Sequence, residues 1–128
     1  MMKMIKILVV DDEKDIQPLF EQRFRKEIRS GEMEFAFAFS GEEAMQFLEK
    51  NLHEAVLILS DINMPGMSGL ELLSRIKARH REPPPTVMMI SAYGDQENYK
   101  KAMELGADDF ISKPVDFVVL KEKIKKIV

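Results

Sequence analysis

Leu57-Ile58-Leu59-Ser60-Asp61-Ile62-Asn63-Met64-Pro65-Gly66 is an apolar run that stops on a carboxylate. A short apolar run followed by turn residues reads as a buried strand, and Asp61 stands where that strand ends. Other polar groups hold the same place after other runs. Asp11 and Asp12 follow Ile7-Leu8-Val9-Val10, Ser91 follows Val87-Met88-Met89-Ile90, and Lys113 follows Phe110-Ile111-Ser112. If the runs are parallel strands, all these groups gather on one edge of one sheet. Ligands of open α/β sheets bind outside the carboxyl ends of the strands. Acids, a hydroxyl and a lysine collected there suit a divalent cation and a phosphoryl group.

Outward from that stretch, apolar runs alternate with helical periodicity, the pattern of a parallel sheet covered on both faces. The first strand is expected over about Ile5 to Val10, and a helix from about Asp15 buries Ile16, Leu19, Phe20, Phe24 and Ile28 on one face. Pro18 falls in its first turn, where a missing N–H is tolerated. Ser30-Gly31 ends it, and Phe35, Phe37 and Phe39 alternate as a second strand. Ser40-Gly41-Glu42-Glu43 and Ser68-Gly69-Leu70-Glu71 have capping-box spacing. They open helices that turn Ala44, Phe47 and Leu48, and Leu70, Leu73 and Ile76, inward. Val56 to Ser60 is the third strand, and Pro83-Pro84-Pro85 is a loop before the fourth, Thr86 to Ile90. A helix from Asp95 to Leu105 stops at Gly106, the fifth strand is about Asp109 to Ser112, and a last helix starts near Phe117. Right-handed crossovers then make an α/β, doubly wound, five-stranded parallel sheet with five helices.

The 128 residues suffice for one domain with its own core, so residues 1–128 are read as a single unit. A net charge of -3 gives no sign of direct nucleic-acid or membrane binding. The absence of cysteine excludes disulfides, thiol nucleophiles and thiolate metal sites. No signal peptide or span of about 18 apolar residues is present, which points to the cytoplasm.

Acids after a strand are commonly helix caps. Asp108-Asp109 is an internal control, because that pair begins a strand, on the opposite edge, and is assigned no chemistry. Converging carboxylates repel one another and resist desolvation, which a cation relieves. Oxygen ligands without His or Cys favour a hard ion such as Mg²⁺. Lys113 is placed to neutralise a phosphoryl oxygen, and Ser91 to donate to one. Pro114 restricts Lys113 to extended geometry and is a candidate for a cis bond.

Together these residues strongly resemble the receiver domain of two-component response regulators, similar to the chemotaxis response regulator. Val9-Val10-Asp11-Asp12-Glu13 resembles the acidic pocket, and Asp61-Ile62-Asn63-Met64-Pro65-Gly66-Met67-Ser68-Gly69 the phospho-acceptor loop. Ser91-Ala92 resembles the switch hydroxyl and its small neighbour. Gly106-Ala107-Asp108-Asp109-Phe110-Ile111-Ser112-Lys113-Pro114 resembles the segment of the switch aromatic and the lysine. The strand order 2-1-3-4-5 comes from that resemblance and from flavodoxin-like sheets, not from these residues. The resemblance implies that Asp61 accepts a phosphoryl group from a histidine kinase or phosphotransfer protein. It implies Mg²⁺, with Mn²⁺ as a substitute, held directly by Asp12 and Asp61, through water by Asp11, and by the backbone carbonyl of Asn63. Ser91, Ala92, Lys113 and Phe110 become the phosphoryl-binding and switch residues, and Asn63 and Tyr93 tune dephosphorylation.

A haloacid dehalogenase-like phosphatase would need a second acid where Asn63 stands, and a flavin module would need a phosphate cradle where Asp11-Asp12-Glu13 repels phosphate. A metal-independent docking receiver is the remaining rival, although it would lack part of this pocket. The chain is expected to be no enzyme beyond assisting its own phosphorylation and dephosphorylation. Lys121, Lys123, Lys125 and Lys126 read as a solvated face; the sharper reading pairs them with Glu104 or Asp108 of a second copy, in a homodimer through the fourth and fifth helices. His53 and His80 are assigned nothing. Signalling is expected to pass to an output domain or downstream protein, with an N-terminal receiver of a longer regulator favoured over a stand-alone one.

Overall fold

Ile7, Leu8, Val9 and Val10 are each at most 2% exposed, as a central strand buried on both faces requires. They belong to β1 (Ile5–Val10), which pairs in parallel with β2 (Met33–Ala38) on one side and β3 (Val56–Asp61) on the other. β4 (Thr86–Ala92) and β5 (Asp109–Lys113) complete a sheet of order β2-β1-β3-β4-β5. This is the order expected. The computed structural model describes residues 4–51, 56–79, 84–92 and 94–127.

Side chains alternate across the sheet and divide the core in two. Ile7, Val9, Leu57, Leu59, Met88, Ile90 and Ile111 face Phe20, Phe24, Leu120 and Ile124. Phe20 lies on α1 (Ile16–Arg23), and Leu120 and Ile124 lie on α6 (Phe117–Lys125). Leu8, Val10, Ile58, Val87 and Met89 face the other way. They meet Ala44 and Leu48 of α3 (Gly41–Lys50), Leu72, Leu73 and Ile76 of α4 (Gly69–Ala78), and Ala102 of α5 (Gln96–Glu104).

Ser40 accepts from the Glu43 N–H and Ser68 from the Glu71 N–H, the caps that the two spacings called for. Glu71 itself turns to Arg75, at 3.3 Å.

Six helices rather than five are present among the described residues. The expected first helix is interrupted at Phe24, whose φ of -107° and ψ of 19° separate α1 from α2 (Arg25–Arg29). The hydrogen bonds Phe24 N–H to Phe20 O and Ile28 N–H to Phe24 O carry on through it, so this is a local twist. Beyond it Glu27 turns inward, 5% exposed, and Ile28 is left 37% exposed; Leu19, before it, is also 37% exposed. The inward stripe is therefore Phe20, Phe24 and Glu27, with Ile16 half-buried against the same cluster as expected. Lys121 of α6 meets Glu27 at 3.0 Å, which makes a carboxylate tolerable there. Phe39 lies beyond the end of β2, half-buried beneath the Lys14 ammonium. Leu72 and Met45 are buried in addition to the residues expected.

The basic face of α6 is not simply solvated. Lys121 is tied to Glu27, and Lys123 to Asp109 at 2.7 Å. Asp108, at the opposite edge from Asp61, accepts from the Val87 N–H at 2.8 Å and from Lys77 at 3.3 Å. It caps the start of β4. Pro83, His53, His80 and Tyr93 lie outside the described residues.

Candidate functional site

Strand register brings the charged groups together. Val9 pairs with Leu59 and Asp61 with Ile90, while Ile90 pairs with Ile111 and Ala92 with Lys113. Alternation sends Asp11, Asp61 and Lys113 to the same side as Val9, Leu59, Ile90 and Ile111. The strands run slightly longer than expected, so Asp61 and Lys113 are the last residues of β3 and β5. Backbone bonds from Ile62 N–H to Ile90 O, at 3.0 Å, and from Gly69 N–H to Ile62 O, at 2.8 Å, fix the chain just past Asp61. Gly69 is the first residue of α4, and only a hydrogen in place of a side chain lets it approach the Asp61 carbonyl this closely.

Oxygens of Asp11, Asp12 and Asp61 lie within 4.8 Å of one another. Asp11 and Asp61 are 7% and 5% exposed, and Asp12 is exposed. Lys113 Nζ donates to Asp61 Oδ2 at 2.9 Å. The Lys113–Pro114 bond is cis.

Burial pushes the Asp11 carboxyl above its ordinary value; the Glu13 N–H, donating at 2.9 Å, works against this, and the Asp61 charge adds to it. Burial alone would lower the Lys113 ammonium, but the hydrogen bond and charge of Asp61 outweigh it and the net shift is upward. One ammonium among several carboxylates leaves the pocket short of positive charge. All the donors are oxygens, two of them on buried groups. That set fits a hard divalent cation.

Ser91 is 1% exposed in β4, on the side of Met89. Its Oγ donates to Asp95 Oδ2 at 2.9 Å. Asp95 was expected only to open a helix, and it caps α5 through the Asn98 N–H. An acid four residues after a strand-end Ser was the available signal. Ala92 is exposed at the end of β4, and Asn63 is exposed just after buried Ile62. Phe110 is half-buried and meets Tyr99 of α5 edge-on, centroids 5.2 Å apart.

A cleft of about 840 Å³ opens beside this pocket between α1 and the start of α6. Asp11 and Lys113 stand at one end, and Ile16, Leu19, Val115 and Phe117 are among the residues that line the rest, with charged Arg23 and Asp116.

A family described as the response regulator receiver domain matches residues 7–125. The response regulator protein PilR of Pseudomonas aeruginosa is 38% identical over 122 residues, covering 93% of this chain and 25% of that protein. A chemotaxis protein CheY homolog of Campylobacter jejuni is 32% identical over 123 residues, covering 96% of this chain and 92% of that protein. The chain spans 22%, 25% and 50% of the length of three other curated relatives, PilR among them. Among solved structures, a Saccharomyces cerevisiae receiver domain in complex with its histidine phosphotransfer protein is 26% identical at a TM-score of 0.80. That likeness covers 98% of this chain and 90% of the other.

Proposed function

This chain belongs to the response regulator receiver domain family of two-component signalling, and from that premise we propose that Asp61 is its phospho-acceptor. The observation that carries the proposal is the meeting of Asp11, Asp12 and Asp61 within 4.8 Å, with Lys113 on Asp61 at 2.9 Å. A carboxylate oxygen of Asp61 attacks the phosphorus of a phosphohistidine. The new P–O bond forms as the P–N bond breaks, and the imidazole leaves with the electron pair. Lys113 orients the Asp61 carboxylate beforehand and takes up charge on the transferred group. Asp12 and Asp61 directly, Asp11 through water, and the Asn63 carbonyl would hold Mg²⁺ or Mn²⁺. When bound, that ion neutralises the carboxylates and the incoming phosphoryl oxygens.

The donor is a histidine kinase or a phosphotransfer protein. The cleft beside Asp11 and Lys113 supports a seat for it, because it offers an apolar wall next to the acceptor and half-exposed Leu19 borders it. Ser91 and Phe110 relay the phosphorylated state to an output domain or separate partner. Residues 1–128 form a single receiver that catalyses no reaction beyond its own phosphorylation and dephosphorylation. No helix among the described residues is long and apolar enough to cross a membrane, and a cytoplasmic location belongs to the same proposal. A homodimer on the lysines of α6 draws less support, since Lys121, Lys123 and Asp108 are engaged within the chain.

Acetyl phosphate with Mg²⁺ should add one phosphoryl group, read by intact mass, and Asp61→Asn should abolish it. Equal labelling of the Asn variant sinks the assignment.

A further inference from the structure

The hydroxyl of Ser91 has one proton to give, and Asp95 holds it. A Ser O–H is a single donor, so it serves one acceptor at a time. Asp95 Oδ2 takes it at 2.9 Å and also accepts from Asn98 Nδ2 at 2.6 Å, while Oδ1 caps the Asn98 N–H at 3.2 Å. The same carboxylate therefore ties the end of β4 to the first turn of α5. One turn on, Tyr99 donates its N–H to the Asp95 carbonyl and lays its ring against Phe110. Ser91 directly follows Ile90, the residue paired with Asp61, so it stands one position past the acceptor's partner on the neighbouring strand, with its hydroxyl turned to Asp95.

We propose that Asp95 is a positioning residue that latches Ser91 in the unphosphorylated chain, so that a phosphoryl group on Asp61 must compete with it for the Ser91 proton. The inference rests on the reading of Asp61 as acceptor and adds what opposes the switch. Capture of Ser91 by the phosphoryl group removes the tie between β4 and α5 and leaves the Asn98 cap in place. The motion thus reaches Tyr99 and Phe110 without unravelling the helix. Hydrogen bonds from Asn98 and from Ser91 hold the Asp95 carboxyl below its ordinary value, so the latch stays charged at neutral pH.

The test uses the full chain, saturating Mg²⁺ and beryllofluoride as the phosphoryl analogue, with affinity read by isothermal titration. Asp95→Ser keeps a capping oxygen but is too short to hold Ser91. It should bind beryllofluoride about five- to tenfold more tightly, the worth of one freed hydrogen bond. Asp95→Asn, which keeps an uncharged acceptor and the cap, should shift affinity the same way by less. In a Ser91→Ala background the Asp95→Ser gain should shrink to within about twofold, as a double-mutant cycle requires of coupled groups. A gain that persists in that background is a charge effect and overturns the latch, as does no gain in either variant. Failure of the wild-type chain to bind beryllofluoride would instead overturn the assignment of Asp61, and this inference with it.

Discussion

Replacing Gly69 with alanine should damage the acceptor without touching a charged group. A Cβ on Gly69 would lie 2.1 Å from the Asp61 carbonyl oxygen, 2.7 Å from Ile62 Cα and 2.9 Å from the Asp61 carbonyl carbon. All three are backbone atoms, so no rotamer change relieves the clash. Reaching ordinary contact of about 3.4 Å requires α4 and the end of β3 to part by about 1.3 Å. Overpacking of this kind costs roughly 1–3 kcal/mol. The Gly69 N–H to Ile62 O bond, 2.8 Å long, lengthens with it. Because Asp61 itself is displaced, labelling should fall further than stability does; a shift of about 1 Å at a reacting group can cost on the order of 100-fold in rate. Urea denaturation gives the first number, and initial rates of acetyl phosphate labelling, under conditions where the variant is fully folded, give the second. Gly31→Ala is the control. Gly31 has φ +78° but no atom within 4 Å of a Cβ, so it carries only the strain of a left-handed residue, about 1–2 kcal/mol. Its labelling rate should match wild type. A Gly69→Ala variant with wild-type midpoint and wild-type labelling would refute the reasoning.

Asp12→Asn should weaken Mg²⁺ binding at least tenfold while leaving the fold intact, since Asp12 is exposed and its carboxylate is one of few available ligands; titration of Mg²⁺ by amide shifts checks this. Ser91→Ala should still label with acetyl phosphate but lose much of the amide-shift response around Phe110, and full retention of that response would contradict the coupling. Glu27→Gln should cost roughly 1–3 kcal/mol at neutral pH, because Glu27 Oε2 accepts from Lys121 in a buried setting. Burial raises the Glu27 carboxyl, the Lys121 hydrogen bond and charge outweigh it, and the net value lies below 4.5. A depressed carboxyl contributes stability above its unfolded value and loses it as pH falls through the folded one. The gap between wild type and Glu27→Gln in urea midpoints should therefore narrow below about pH 4.5 and stay level above it.

The acidic pocket was legible because strand ends are legible. Val9-Val10-Asp11-Asp12 and Leu59-Ser60-Asp61 mark a change from apolar to charged where a buried strand ends, and parallel strands share one edge. Capping boxes at Ser40 and Ser68 were equally plain, since the signal is local. Glu27 was not legible. Its inward turn depends on Lys121, far along the chain, and on a twist at buried Phe24 that no local propensity signals. The partner of Ser91 was hidden for a related reason. Asp95 reads as an ordinary cap, and only the path of the loop before α5 shows that its second oxygen faces back to β4.

The two halves of the core differ in what fills them. On one side of the sheet Phe20, Phe24, Phe35, Phe37 and Phe117 interlock, with ring centroids from 5.0 to 6.4 Å apart. On the other, Met45, Met64, Met67 and Met89 fill the spaces, with Phe47 and Phe110 at the margin, whereas the ring-packed side holds only Met33 and Met88 among the described residues. Rigid rings pack in few ways, whereas methionine adapts its shape at little cost. The cleft beside Asp11 and Lys113 borders the aromatic half, and Ser91 and Phe110 lie toward the methionine half. On the reading proposed for Asp61, a donor seated in that cleft would meet the ring-packed face, while a change at Ser91 and Phe110 would be taken up on the methionine-bearing face.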